Sequence, residues 1–359
     1  MSFLKLHPDF DHLTGPNPRI ILSLENNAYP FAHEAGVYIP SKNQVFITSN
    51  LITENQNTPR IQISKITLHP DGTSSQEEIH PDIPMANGGV NYRDGVLFCS
   101  QGTATQPSSL VWMKIEEPYQ CETIIDSFYG RQFNSLNDVV VHSDGSIWFT
   151  DPIYGFEQNF RPRPQLPSQV YRYDPGTKSI RAMADGFERP NGISFSPDEK
   201  VVILMKFQSY AFDVVHRHGQ PFLTNRRLFA MADNGIPDGI KCDLEGNVYS
   251  GCGDGIHVWS PGGVLLGKML IPGGVANFCF TRPGEIIALN ETKLWRVSLA
   301  PSCQGSLLML EWNSTSYEYN GSMVVAISTQ KGSIDMWLWK PTQSIHDPDS
   351  FGESAQLRR

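Results

Sequence analysis

The segment Ile236-Pro237-Asp238-Gly239-Ile240-Lys241-Cys242-Asp243-Leu244-Glu245-Gly246-Asn247-Val248-Tyr249-Ser250 decides how the chain is read. It opens on a carboxylate, Asp238, between a proline that fixes φ and a glycine that frees the backbone. Alternating apolar and polar residues then lead through a Glu-Gly-Asn turn into a second β run. The stretch reads as a strand entrance carrying a functional acid.

The pattern recurs along the chain. Leu136-Asn137-Asp138-Val139-Val140-Val141 runs through Asp144-Gly145 into Ile147-Trp148-Phe149, and Pro190-Asn191-Gly192-Ile193-Ser194-Phe195 runs through Pro197-Asp198 into Val201-Val202-Ile203. Fainter copies begin at Asn87-Gly88-Gly89 and Asn277-Phe278-Cys279. The leading residues 87, 137, 191, 238 and 277 stand 50, 54, 47 and 39 positions apart, and Glu34, ahead of the β run 35–39, stands 53 before Asn87. Repetition at roughly 40 to 50 residues with several short strands per unit predicts an all-β chain folded as a six-bladed β-propeller.

In a propeller the innermost strands line a central channel, so Glu34, Asn87, Asn137, Asn191, Asp238 and Asn277 should converge on its axis. Two carboxylates among amides form an oxygen-rich set suited to one hard divalent cation, Ca²⁺ first, with Mg²⁺, Mn²⁺ or Zn²⁺ as alternatives. Asn or Asp before glycine also forms turns without any ligand. Recurrence at blade spacing favours the metal reading for Glu34, Asn191 and Asp238, and much less for Asn87 and Asn277.

Composition agrees with short strands. The 359 residues are 40% hydrophobic and include 30 glycines, 26 prolines and 19 phenylalanines. No amphipathic helix of about 12 residues or more stands out. A ring of blades can use the length as one domain, so the expected division is an N-terminal arm over 1–18, a single propeller over 19–340 and a C-terminal tail over 341–359. The run Arg19-Ile20-Ile21-Leu22-Ser23-Leu24-Glu25 reads as a strand that completes the last blade and removes an open edge. Residues 55–59 and 158–167 read as loops, the second long enough to overhang a site.

A net charge of −9 offers no basic stripe for nucleic acid and disfavours an anionic membrane face. No apolar run approaches the about 18 residues of a membrane helix. The N-terminus reaches polar residues too early for a secretory signal, so the expectation is a cytoplasmic protein, or a secreted one whose leader has been removed. The expected partner is a small-molecule substrate, with the protein a monomer or weak dimer. Cys99, Cys121, Cys242, Cys252, Cys279 and Cys303 form no CxxC pair and read as free, mostly buried thiols. Asn290, Asn313 and Asn320 head formal glycosylation sequons.

The segments around Glu34, Asn137, Asn191 and Asp238, with Asn87-Gly88-Gly89, Asp151-Pro152-Ile153-Tyr154-Gly155 and Gly251-Cys252-Gly253-Asp254-Gly255, resemble the motifs of a known family. It is the senescence marker protein / gluconolactonase / luciferin-regenerating enzyme family, and the likeness is strongest to fungal lactonohydrolase-type members. That resemblance implies a six-bladed propeller with one divalent ion in its channel, Glu34, Asn191 and Asp238 as ligands, and Asn137 as a fourth ligand or substrate contact. It also implies lactone hydrolysis, with the cation polarising the ester carbonyl and acidifying the attacking water, and Asp238 as proton acceptor. No G-x-S-x-G elbow is present for the α/β-hydrolase route.

Several positions depart from the family pattern. Gly36 stands where a proline is usual, Leu204-Met205-Lys206 where a Thr-Asp pair is usual, and Ser135 where sugar-lactone members place an arginine. A less polar substrate is therefore expected, met by Asn87, Ser135, Tyr154, Phe156, His257 or Asn277 and walled by aromatics such as Phe133, Phe160 and Phe207. His33 is expected to pack behind the site, because adjacent strand residues face opposite ways. Two other functions fit the same ring. One is a cofactor-independent cyclase performing hetero-Diels-Alder coupling in a fungal natural-product pathway by orientation alone, and the other is a non-enzymatic binding platform.

Overall fold

The computed structural model describes residues 1–53, 59–205, 208–308, 317–319, 322–328 and 334–339. Most of the expected loop at 55–59, Lys206, Phe207, the sequon residues Asn313 and Asn320, and the expected tail over 341–359 lie outside the described residues.

Six antiparallel sheets follow one another along the chain. Their inner strands are Glu34–Ile39, Ala86–Tyr92, Val139–Val141, Ile193–Phe195, Ile240–Cys242 and Asn277–Phe280, and each sheet then meanders outward. Successive inner strands touch, and the sixth touches the first, so the ring closes. The protein is a six-bladed β-propeller. Closure uses both ends of the ring segment: Arg19–Glu25 pairs with Lys293–Ser298 as the outer strand of blade 6. Short β-branched and aromatic runs such as Val139–Val141 against Ile147–Asp151 supply buried faces, and they suit a pleated half-buried surface. Among the described residues no helix exceeds five residues, and none is long and apolar enough to cross a membrane.

The ends of the chain hold more structure than the sequence reading assigns them. Ser2–Lys5 adds a fifth strand to blade 5, pairing with Leu265–Leu270. Helix Phe10–Thr14 then presses the Phe10 ring onto Gly267, where an added Cβ would lie 2.6 Å from Phe10 Cδ1. Burying such a ring is worth about 2 to 3 kcal/mol. A four-residue strand is too short for its alternation to be read. At the other end, the chain divides into the units Met1–Ser306 and Leu307–Arg359, so the stretch 19–340 read as one propeller holds a ring complete at Ser298 and part of a second unit. That second unit contains an antiparallel sheet of Tyr317–Tyr319, Ser322–Ser328 and Ile334–Trp339.

The glycines after the leading residues do something other than turn. Gly88, Gly192 and Gly239 lack a positive φ. A Cβ on Gly88 would lie 2.5 Å from Asn137 O, one on Gly192 2.5 Å from Asp238 O, and one on Gly239 2.3 Å from Asn277 Cγ. Each glycine thus lets the next blade's leading residue approach the axis. Left-handed backbone is needed instead in blade 1, where Ala35 (φ 66°) and Gly36 (φ 74°) form a bulge just after Glu34. A proline locked near −65° could not occupy position 36.

Phe133 and Phe160 are buried, and Phe133 packs edge-on against Phe149 and Tyr171 with ring centroids 5.4 Å apart in both pairs. Core packing, not a pocket wall, is their place. All six cysteines are free thiols, five of them buried. Asn290 is buried, its amide donating to Gly274 O and its Oδ1 accepting from Trp295 Nε1, so this sequon is part of the fold.

Gly192→Ala should lower stability by roughly 1 to 3 kcal/mol, because the new methyl meets rigid backbone of the next blade. A thermal melt unchanged from the parent protein would show that the Asp238 carbonyl does not set this spacing.

Candidate functional site

Identical backbone pairing brings the leading residues to one level at one end of the ring. The amide N–H of Asn137 donates to Thr150 O (3.1 Å), that of Asn191 to Met205 O (2.9 Å) and that of Asp238 to Gly251 O (3.0 Å). Glu34 and Asn277 stand opposite Thr48 and Leu289 in the equivalent register. Around the axis at this level lies a cavity of about 260 Å³ lined by Glu34, Asn87, Asn137, Asn191 and Asp238, with Tyr154, His33 and Gln101 among its other walls.

Each polar group has a position held from behind. Asn277 donates from Nδ2 to Glu34 Oε2 (2.8 Å) while its Oδ1 accepts from Phe278 N (2.8 Å). Asn137 donates from Nδ2 to Asn87 Oδ1 (3.1 Å), and Asn191 lies within 3.4 Å of the Tyr154 hydroxyl. His33 Nδ1 meets Glu291 Oε1 at 2.8 Å, and Asn50 Nδ2 donates to both oxygens of the same carboxylate. One layer further in, Asp138 accepts from Val139 N (2.9 Å) and from Ile193 N of the next blade (3.0 Å).

Crowded acids in a dry site repel their own charge. Burial and the Asp238 carboxylate push Glu34 up to about 8, against the opposing pull of His33 and the Asn277 bond. Burial likewise raises Asp238, while His33 and the Asn191 amide oppose the rise. Burial disfavours the His33 imidazolium, but the Glu291 bond and the carboxylates of Glu34, Glu291 and Asp238 lift it to about 9. The Tyr154 hydroxyl is raised by burial and by Asp238, so it stays protonated at neutral pH.

The arrangement fits a divalent cation on two independent observations. Asn137 Oδ1 and Asp238 Oδ1 are buried and have no hydrogen-bond partner, which is costly unless something positive meets them. His33, Glu34 and Asp238 also offer ligand atoms all within 4.8 Å of one another. Carboxylate and amide oxygens are the donors that hard cations take.

Six of the ten residues singled out from the sequence line this cavity: Glu34, Asn87, Asn137, Tyr154, Asn191 and Asp238. Four do not. Asn277 supports Glu34 from behind. Ser135 is fully buried, its Oγ accepting from Gly155 N (3.1 Å) and donating to Gln101 Oε1 (3.2 Å), which anchors the short helix Tyr154–Glu157. Phe156 projects from that helix with 43% of its surface exposed. His257, on the strand Gly255–Trp259, is fully buried and its Nε2 meets Asp254 Oδ1 at 2.6 Å.

His33 corrects the sequence reading in the other direction. It precedes the strand that begins at Glu34, so strict alternation does not govern it, and it lines the cavity. Ser49, Asn50 and Gln101 are also walls that the reading missed. A partial signal is present: 49–50, 101, 151 and 291 stand at or just after the ends of second strands in four of the six blades.

The sequence profile of the SMP-30/Gluconolactonase/LRE-like region matches residues 61–286. A lactonohydrolase of Aspergillus oryzae, oryL, is 26% identical over 337 residues, covering 84% of this chain and 72% of its own. A gluconolactonase of Zymomonas mobilis is 27% identical over 226 residues, covering 53% of this chain and 60% of its own. The solved gluconolactonase of Xanthomonas campestris has a TM-score of 0.69 and 25% identity, over 83% of this chain and 95% of that one. With six blades around one acidic, amide-lined channel, this chain belongs to the SMP-30/Gluconolactonase/LRE-like family.

Proposed function

We propose that the protein is a metal-dependent lactone hydrolase. The observation that carries this reading is the pair of buried, unpartnered oxygens, Asn137 Oδ1 and Asp238 Oδ1, beside Glu34 on the axis of a ring whose relatives include proteins named as lactone hydrolases. Glu34, Asn191 and Asp238 would hold one divalent cation, calcium by the hardness of the donors, with Asn137 as fourth ligand or substrate contact. When bound, that ion supplies Lewis-acid polarisation of the ester carbonyl and lowers the pKa of water.

The chain's own residues account for the rest. Asp238, a carboxylate beside the cation it would hold, is the proton acceptor for the attacking water. Its raised affinity for a proton, caused by burial, suits that role. Asn137, fixed through Asn87, lines the same cavity as that acid and has an unpartnered Oδ1. Tyr154, protonated at neutral pH, offers a hydroxyl to a substrate oxygen. Asn277 keeps Glu34 in place, and the His33–Glu291 pair sets a positive charge against two crowded carboxylates.

Two measurements test the reading. Asp238→Asn should cut kcat on a hydrolysed lactone by about 10² to 10⁴ while leaving the melt of the metal-free protein intact; full turnover in this variant would remove Asp238 from the proton-transfer role. Calcium at about 100 times its Kd should stabilise the protein by about 2.7 kcal/mol, and Glu34→Gln should abolish that gain. If melts with chelator and with calcium, magnesium, manganese or zinc all coincide, the metal part of the proposal fails.

A further inference from the structure

The walls of the cavity combine polar groups, several of them already engaged, with three aliphatic side chains. Asn87 accepts from Asn137, Asn50 holds Glu291 and its own Oδ1 accepts from Leu51 N (2.7 Å), Gln101 accepts from Ser135, and Asn191 meets Tyr154. These four amides are thereby partly occupied within the protein. No lysine or arginine is among the residues that line the cavity. Arg161 is spent on four backbone carbonyls, those of Thr103, Gln106, Phe133 and Asn134, and Arg189, which acts on the Tyr154 hydroxyl, is paired with Glu157. His33 lines the cavity, and its Nδ1 is already paired with Glu291 Oε1.

Leu51, Ile61 and Ile236 supply the remaining surface. Ile236 is 54% exposed, an unusual state for a β-branched side chain that borders a cavity. Its loop is held in place rather than left to move. Lys268, almost fully buried, bonds Asp233 at the start of the loop and Asp254 Oδ2 (3.2 Å) on the adjoining turn, and Asp254 in turn holds His257. At Gly235 an added Cβ would lie 2.6 Å from Gly253 N, which presses the loop against that same turn. A rigid loop that presents an isoleucine at a cavity wall is a preorganised apolar contact.

Resting on the lactonase reading, we infer that Leu51, Ile61 and Ile236 form a subsite for an uncharged apolar substituent on the lactone ring, so that alkyl-substituted lactones are preferred to polyhydroxylated ones. Ile236 is the specificity-determining residue of this subsite. The ring and its ester reach the carboxylates on the axis while the alkyl chain lies along the three aliphatic side chains.

The test compares δ-decalactone with δ-gluconolactone, lactones of equal ring size, in the full chain and in Ile236→Asp. We expect kcat/KM to favour δ-decalactone by about ten-fold or more, and the variant to shrink that ratio about ten-fold, mainly through KM for the alkyl lactone. Preference for δ-gluconolactone, or a ratio unaltered by the variant, overturns the subsite. If neither lactone is hydrolysed, the lactonase reading itself fails. Calorimetric binding of the corresponding lactams, which needs no turnover, then decides the subsite separately: tighter binding of the alkyl lactam, weakened in Ile236→Asp, upholds it, and tighter or equal binding of the polyhydroxylated lactam refutes it.

Discussion

The site depends on how closely adjacent inner strands can approach one another. At Gly88, Gly192 and Gly239 the missing Cβ is filled by Asn137, by the Asp238 carbonyl and by the Asn277 amide of the following blade. Any side chain at these points would push the leading residues outward, and interiors packed like crystals do not absorb such a push. Backbone bonds across the same seams, Gly88 N to Asn137 O and Gly239 N to Ala276 O, both 2.9 Å, use that closeness. Carboxylates more than 200 positions apart in the chain thereby come within reach of one another.

Such convergence has an electrostatic cost that the surrounding network manages. Burial raises both acids and Asp238 raises Glu34 further, and the fold opposes this with a histidine held by Glu291 and an amide from Asn277. The layer beneath repeats the solution with backbone groups in place of side chains. Asp138 accepts from two N–H groups on different blades, and Asp151 accepts from Asn134 N (3.0 Å) and Ser135 N (2.8 Å). Burial still pushes Asp151 up to about 7, although both N–H bonds and Arg161 favour its charged form. These buried acids act as staples for the loops that carry Asn137 and Tyr154.

Residues far from the axis therefore shape the cavity indirectly. Arg161 gathers the carbonyls of two loops, Ser135 pins the helix of Tyr154, and Lys268 fixes the loop of Ile236. None of them lines the cavity, yet each determines where a lining residue stands.

The ring and its leading residues were legible because a propeller writes one local pattern six times. An Asn, Asp or Glu ahead of a short β run and a turn recurs at blade spacing, followed by a glycine in three of the six copies, and the recurrence needs no knowledge of contacts. The strand Arg19–Glu25 that closes blade 6 was legible for a related reason, since an open edge demands a partner. Tertiary structure alone decided what those glycines are for, because their role lies in the neighbouring blade and not in their own φ. It also decided that Asn277, Ser135 and His257 support or lie apart from the cavity while His33 enters it. Local alternation cannot rank residues by distance from an axis that exists only once the ring is closed. The division at Ser306 was likewise hidden, for a strand in a separate sheet has the same period of two as a strand in a blade.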